Sequence, residues 1–185
     1  IQIIGCGAFT GVDVKFEIVD FDGLLEFLKL VCINRMHFHH VSGMPDWVMQ
    51  LPNELGVPFD YTVHDFSPIC PQFHLNEKNG DFCGLPCEDE CNECISSRPN
   101  PWAEDIASWR SAFQGLFADA RRIICPSNFV MEVMRDYFPT ANLVLKPHAE
   151  LDLFLPKRPT VEPRIKIAIL GSISPIKGLY FIKEL

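Results

Sequence analysis

Short runs rich in apolar, β-branched and aromatic residues alternate with helical patterns along this chain, and that alternation constrains its fold more than any other feature. The runs NRMHFHHV (34–41), PFDYTVHDF (58–66), RRIICPS (121–127) and NLVLKPH (142–148) read as strands. Between the first two, a helix is expected from Pro45 to Gly56, with Pro52 an awkward interior residue because it lacks a donor and crowds the preceding turn. Between the next two, Trp102, Ile106, Trp109, Phe113, Leu116, Phe117 and Ala120 recur at i, i+3, i+4 spacing and predict an amphipathic helix. Ser127 is placed to cap a third helix, NFVMEVMRDYF, which Pro139 terminates. Strands separated by helices assemble into a parallel sheet with helices on its faces, so the expected class is α/β, with a Rossmann-like sheet.

The 185 residues leave room for one such domain and a piece of another. Residues 1–150 are expected to form the first. The proline-rich, charged stretch 151–164 reads as a linker, and IKIAILGSISPIKGLYFIKEL (165–185) restarts as strand, glycine turn and helix. The opening IQIIGCGAFTG has no basic segment leading into a long apolar run, and no later run is long enough for a bilayer span, so a cytoplasmic location is expected. The formal charge of −8 argues against a nucleic-acid partner. It leaves room for a small phosphorylated ligand, which a helix N-terminus and one or two cations can hold.

In open parallel sheets, ligands bind beyond the carboxyl ends of the strands. His39 and His40 fall at the end of the first run, His64 and Asp65 near the end of the second, Ser127 after the third, His148 after the fourth and Gly171 after the fifth. Any one of these is ordinary where a strand gives way to a loop; several along one edge indicate a site.

The segment between the second strand and the long helix reads as a cysteine-dense loop over 67–101, Cys70-x12-Cys83-x3-Cys87-x3-Cys91-x2-Cys94. In a reducing compartment such clustering favours a metal over disulfides, and Cys91-x2-Cys94 has the spacing of a zinc knuckle. A long loop without secondary structure also needs something to offset its ordering entropy, which a structural zinc supplies. Free thiols or disulfides are the alternative. Cys6, Cys32 and Cys125 lie in apolar surroundings and read as small core residues.

The ordered succession FHHVSGMPDWVMQLPNELGVPFDYTVHDFSPICPQFHL, GDFCGLPC, CNEC, IICPSNFVMEVM and IAILGSISPIKG resembles retaining glycosyltransferases of the family 4 type, from about residue 33 onward. The resemblance implies the GT-B architecture, two Rossmann-like domains facing each other across a cleft. It further implies that the chain is a fragment, lacking the start of the first domain and most of the second. By that resemblance His64 is the catalytic candidate, an imidazole facing the donor sugar. Asp65 would orient it or contact acceptor, and His39, His40, Ser127 and His148 would lie around the cleft. Gly171, Ser172, Lys177 and Gly178 would open the donor pocket, with Ser172 where the family pattern has Arg. Cys70 and Cys83, at the start and end of the excursion and matching the family's ICP and CG landmarks, complete a zinc set with Cys91 and Cys94, leaving Cys87 spare.

The function implied is transfer of a sugar from a nucleotide-sugar donor to a glycan, lipid-linked or other acceptor, in cell-surface polysaccharide synthesis. No redox cofactor is expected, and peripheral association of the full-length protein with a membrane is compatible with such acceptors. One rival is a Rossmann oxidoreductase or epimerase, disfavoured because the G-x-G-x-x-G fingerprint with a following acidic residue is missing. Another is a non-catalytic, zinc-stabilised binding module.

Overall fold

The computed structural model describes residues 2–4, 11, 13–17, 19–41, 43–98, 105–147 and 179–183. Its centre is a four-stranded parallel sheet in the order β3 (Met36–Phe38), β4 (Phe59–Thr62), β5 (Arg122–Cys125), β6 (Leu143–Leu145). The protein is therefore α/β, compatible with a Rossmann-like fold, and all four strands lie inside the runs expected from sequence. A short antiparallel pair, β1 (Gln2–Ile4) with β2 (Asp13–Lys15), stands apart from this sheet. The linker and the strand restart at 165–178 fall outside the described residues, where only α6 (Leu179–Lys183) represents the end of the chain.

Local chemistry explains the helices. In α1 (Phe21–Leu30), which sequence reading overlooked, Asp20 caps the first turn by accepting from the Gly23 amide at 3.0 Å, and Leu24 and Leu25 enter the core. The helix expected over 45–56 is divided. A 3-10 helix, Asp46–Gln50, runs into α2 (Leu51–Leu55), so Pro52 sits in a first turn, where its missing N–H leaves no hydrogen bond unmade. Gly56 then closes α2 at φ 65°, in the left-handed region open to glycine. The long amphipathic helix is α4 (Ile106–Asp119), capped by Asp105, whose carboxylate accepts from the Ser108 amide; Trp102 lies outside the described residues. In α5 (Asn128–Tyr137) Ser127 is the cap, as expected.

These helices bury one face against the sheet. Tyr61 of β4, Phe117 of α4 and Phe138 after α5 stack edge to face at 5.1 and 5.0 Å, with Ile123 and Met134 beside them fully buried. Cys125 joins this core. Cys32 does not: it is exposed, at φ 54° just past α1, so its expected core role is corrected. Cys6 lies outside the described residues.

The cysteine segment departs most from expectation, because it is not a loop throughout. Glu88–Ser97 form helix α3, so Cys91 and Cys94 stand one turn apart on one helical face and not in a tight knuckle. The acidic run Glu88, Asp89, Glu90 that opens α3 suits a helix N-terminus, where carboxylates meet the positive end of the dipole. Cys87 caps the helix, and its backbone N–H donates to the Glu90 carboxylate in a reciprocal capping arrangement.

Candidate functional site

The parallel register carries the polar ends of β3 and β4 to one edge. His37 lies in β3 and His39 just beyond its end, two residues on and so on the same side. Their rings stack with centroids 4.4 Å apart, and His39 stacks in turn on His64 at 5.0 Å. His39 Nδ1 and His64 Nε2 share a hydrogen bond of 2.7 Å, while His37 Nε2 and Thr62 Oγ1 share one of 2.8 Å. A bond between two imidazole nitrogens needs one N–H and one lone pair, so at least one of the two rings is neutral while it persists.

Beside this column, His40 Nε2 lies 2.9 Å from an Asp65 carboxylate oxygen. The other Asp65 oxygen accepts from the Ser67 amide at 2.8 Å and holds the turn after β4 in shape. Asp65 thus supports His40, and it is His39 that meets His64. Ser127 completes the edge as the cap of α5, accepting from the Val130 amide at 3.3 Å. Phe66 and Phe129 contact each other edge to face at 6.3 Å, and Phe129 is 56% exposed, an apolar surface next to Ser127. His148, Gly171, Ser172, Lys177 and Gly178 lie outside the described residues.

The charge environment of the column is cationic. His37 is held below the ordinary imidazole range by partial desolvation first, then by the charges of His39, Arg35, Arg122 and His64. Below it, fully buried Asp60 of β4 receives Arg122 in a two-pronged contact, Nε at 3.0 Å and Nη2 at 2.9 Å, and also pairs with Arg35. Asp60 is in register with both His37 and Arg122, so this ion triad ties β4 to β5 and to Arg35 just before β3. Sequence reading passed over His37, Asp60, Arg35 and Arg122; the H-x-H alternation was the available signal for the first.

A groove of about 710 Å³ lies elsewhere, between the 3-10 helix and α4, lined in part by Met49, Asn53, Trp109 and Phe113. None of the edge histidines lines it.

The cysteine cluster flanks the same end of β4. Arg110 Nε donates to the Ile69 carbonyl at 3.0 Å, and its Nη2 donates to the sulfur of Cys91 at 3.5 Å. Arg98 Nη2 donates to the sulfur of Cys94 at 3.0 Å and to the Asn76 carbonyl. The Cys70 thiol is pushed up by burial, opposed by the Gln72 amide and reinforced by Cys91, Cys94 and Cys83; that of Cys91 is pushed up by burial against the pull of Arg110. Among the described residues no three His, Cys, Asp or Glu side chains stand in the arrangement of a metal site.

No protein family, curated protein or solved structure matches the chain. Among the described residues no helix is long and apolar enough to cross a membrane.

Proposed function

We propose that this chain carries the acceptor-side domain of a retaining glycosyltransferase of GT-B type, which moves a sugar from a nucleotide-sugar donor to a glycan or lipid-linked acceptor in the cytoplasm. The observation that carries the reading is the convergence of His39, His40, His64, Asp65 and Ser127 on the carboxyl edge of a parallel sheet, where such sheets bind ligands. The motif succession described above supplies the reaction class.

In this reading, His64 gives its Nδ1 to a hydroxyl of the donor sugar, because Nε2 is engaged by His39. That contact places the anomeric carbon against the acceptor oxygen. As the bond from the anomeric carbon to the diphosphate oxygen breaks, negative charge gathers on the leaving group, and Lys177 is the cation assigned to meet it. His40, fixed by Asp65, and the Phe66–Phe129 pair offer hydrogen bonds and an apolar face to the acceptor.

The test is a panel of nucleotide sugars offered to the protein that contains this chain, with release of nucleoside diphosphate as the readout. One nucleotide sugar turning over and His64→Ala abolishing most of that turnover supports the reading. Hydride transfer with a nicotinamide cofactor, or binding of no nucleotide sugar at all, contradicts it.

A further inference from the structure

We propose that the groove between the 3-10 helix and α4 is a docking site for an amphipathic helix of a partner protein, apolar along the stripe it buries and carrying lysine or arginine at both ends of that stripe. This does not depend on the glycosyltransferase reading.

The groove is preformed. Its floor belongs to the core: Phe59 of β4 with Phe113 and Leu116 of α4, all buried. Trp109 forms part of the α4 wall and is held in place, because its indole N–H donates to the Ser67 carbonyl at 2.7 Å and its ring packs on Phe113 with centroids 5.5 Å apart. Met44, just before the 3-10 helix, and Met49 within it line the facing wall; Met44 is 47% exposed, and an unbranched thioether repacks readily around an incoming side chain. Asn53 donates to Asp119 at 3.2 Å and ties α2 to the end of α4, so the width there is set before anything binds.

The shape suits a helix rather than a compact ligand. The lining runs from Asp105 to Asp119, the whole of α4, about 21 Å at the helical rise. Ser108, Ala112 and Gly115 follow one another along that stretch at helical spacing, so the α4 wall is low where a second helix would lie. A side chain added at Gly115 would meet no atom within 4 Å of its Cβ. Small-molecule sites draw a few polar groups towards one point. Here the carboxylates stand apart, two at the ends of α4 and one on the opposite helix, as suits a partner that anchors through i, i+3, i+4 and i+7.

Charge selects the occupant. Asp46, Asp105 and Asp119 line the groove, and no Lys, Arg or His does so among the described residues. None of the three aspartates forms an ion pair among those residues. Hydrogen bonding from the Ser108 amide holds the Asp105 carboxyl below its ordinary range, so it stays ionised at neutral pH. A helix bringing cations to both ends meets opposite charge at each. A second copy of this chain, with a formal charge of −8, would bring like charge to the same rim.

The experiment is fluorescence anisotropy of a labelled helical peptide of about five turns, with a leucine stripe and lysines at both ends, titrated with the full chain. One comparison peptide replaces the lysines by glutamates; another keeps the lysines and scrambles the stripe. Gly115→Leu fills the groove from a helix interior where leucine is the better helix former, so it should not unfold the chain. The basic amphipathic peptide should bind, with both comparison peptides about tenfold weaker or worse, and Gly115→Leu should weaken it by about tenfold. Asp46→Lys should weaken it as well, while Glu132→Lys, an equal charge change on α5 away from the groove, should not. Failure of the wild-type chain to bind, equal binding of the glutamate peptide, or binding indifferent to Gly115→Leu overturns the proposal. A dimer in sedimentation that Gly115→Leu dissolves gives the groove to a second copy and overturns it too.

Discussion

Nδ1 of His39 lies 2.7 Å from Nε2 of His64, across the gap between two adjacent parallel strands. The pair fixes which nitrogen of His64 a ligand can reach and keeps the ring from turning about χ2. Stacking on His37 continues the column back onto the sheet, where His37 bonds Thr62 and is in register with Asp60. The edge is thus a chain of contacts from Thr62 of β4 through His37 and His39 to an exposed imidazole.

The column predicts an acid-shifted titration for His37. Desolvation, with the nearby charges of His39, Arg35, Arg122 and His64, holds its folded value below 6.5. The unfolded chain therefore binds more protons just below 6.5, and the contribution of His37 to stability, complete above that pH, declines as pH falls through the lowered folded value. Proton NMR titration of the imidazole should show a midpoint under 6.5, and His39→Gln should move it upward. A midpoint at or above 6.5 in the wild type contradicts this environment.

Asp60 predicts an asymmetry between its two arginines. Arg122→Ala removes a two-pronged partner from a carboxylate with no exposed surface, so it should lower stability by about 3 kcal/mol in urea unfolding. Arg35→Ala should cost less, since it leaves the two-pronged contact intact. Equal, small losses for both variants contradict a cross-strand anchoring role.

Cys125 should be the slowest of the described thiols to alkylate. Burial pushes it up to about 11 against the opposing charge of Arg135, and the residue has no exposed surface. Mass spectrometry after iodoacetamide treatment at pH 8 should find Cys32 and Cys87 modified first. Early modification of Cys125 in folded protein contradicts its place in the core.

The sheet was legible because each strand is a short apolar run bounded by a turn or cap, and because α4 and α5 carry strong 3.6-residue periodicity ending in Asp105 and Ser127 caps. Helix α3 was hidden for the opposite reason: EDECNECISS is polar, contains two cysteines read as metal ligands, and buries only Ile95. Pro52 concealed the break between the 3-10 helix and α2, since a proline that ends one helix equally begins another. At the edge, His39, His40, His64, Asp65 and Ser127 could be placed from strand ends alone. Their pairing could not, because which imidazole meets which partner depends on the register of β3 against β4.

The central claim is that His64 acts on the sugar and not on the nucleotide, and paired binding and turnover measurements on the full protein test it most directly. Lys177→Ala serves as the phosphate-side comparison and should weaken nucleoside-diphosphate binding by ~1.5–3 kcal/mol in calorimetry. His64→Ala should leave that affinity nearly unchanged and lower kcat for sugar transfer, since its contact is made chiefly in the transition state. Sugar transfer by His64→Ala at the wild-type rate would contradict the account.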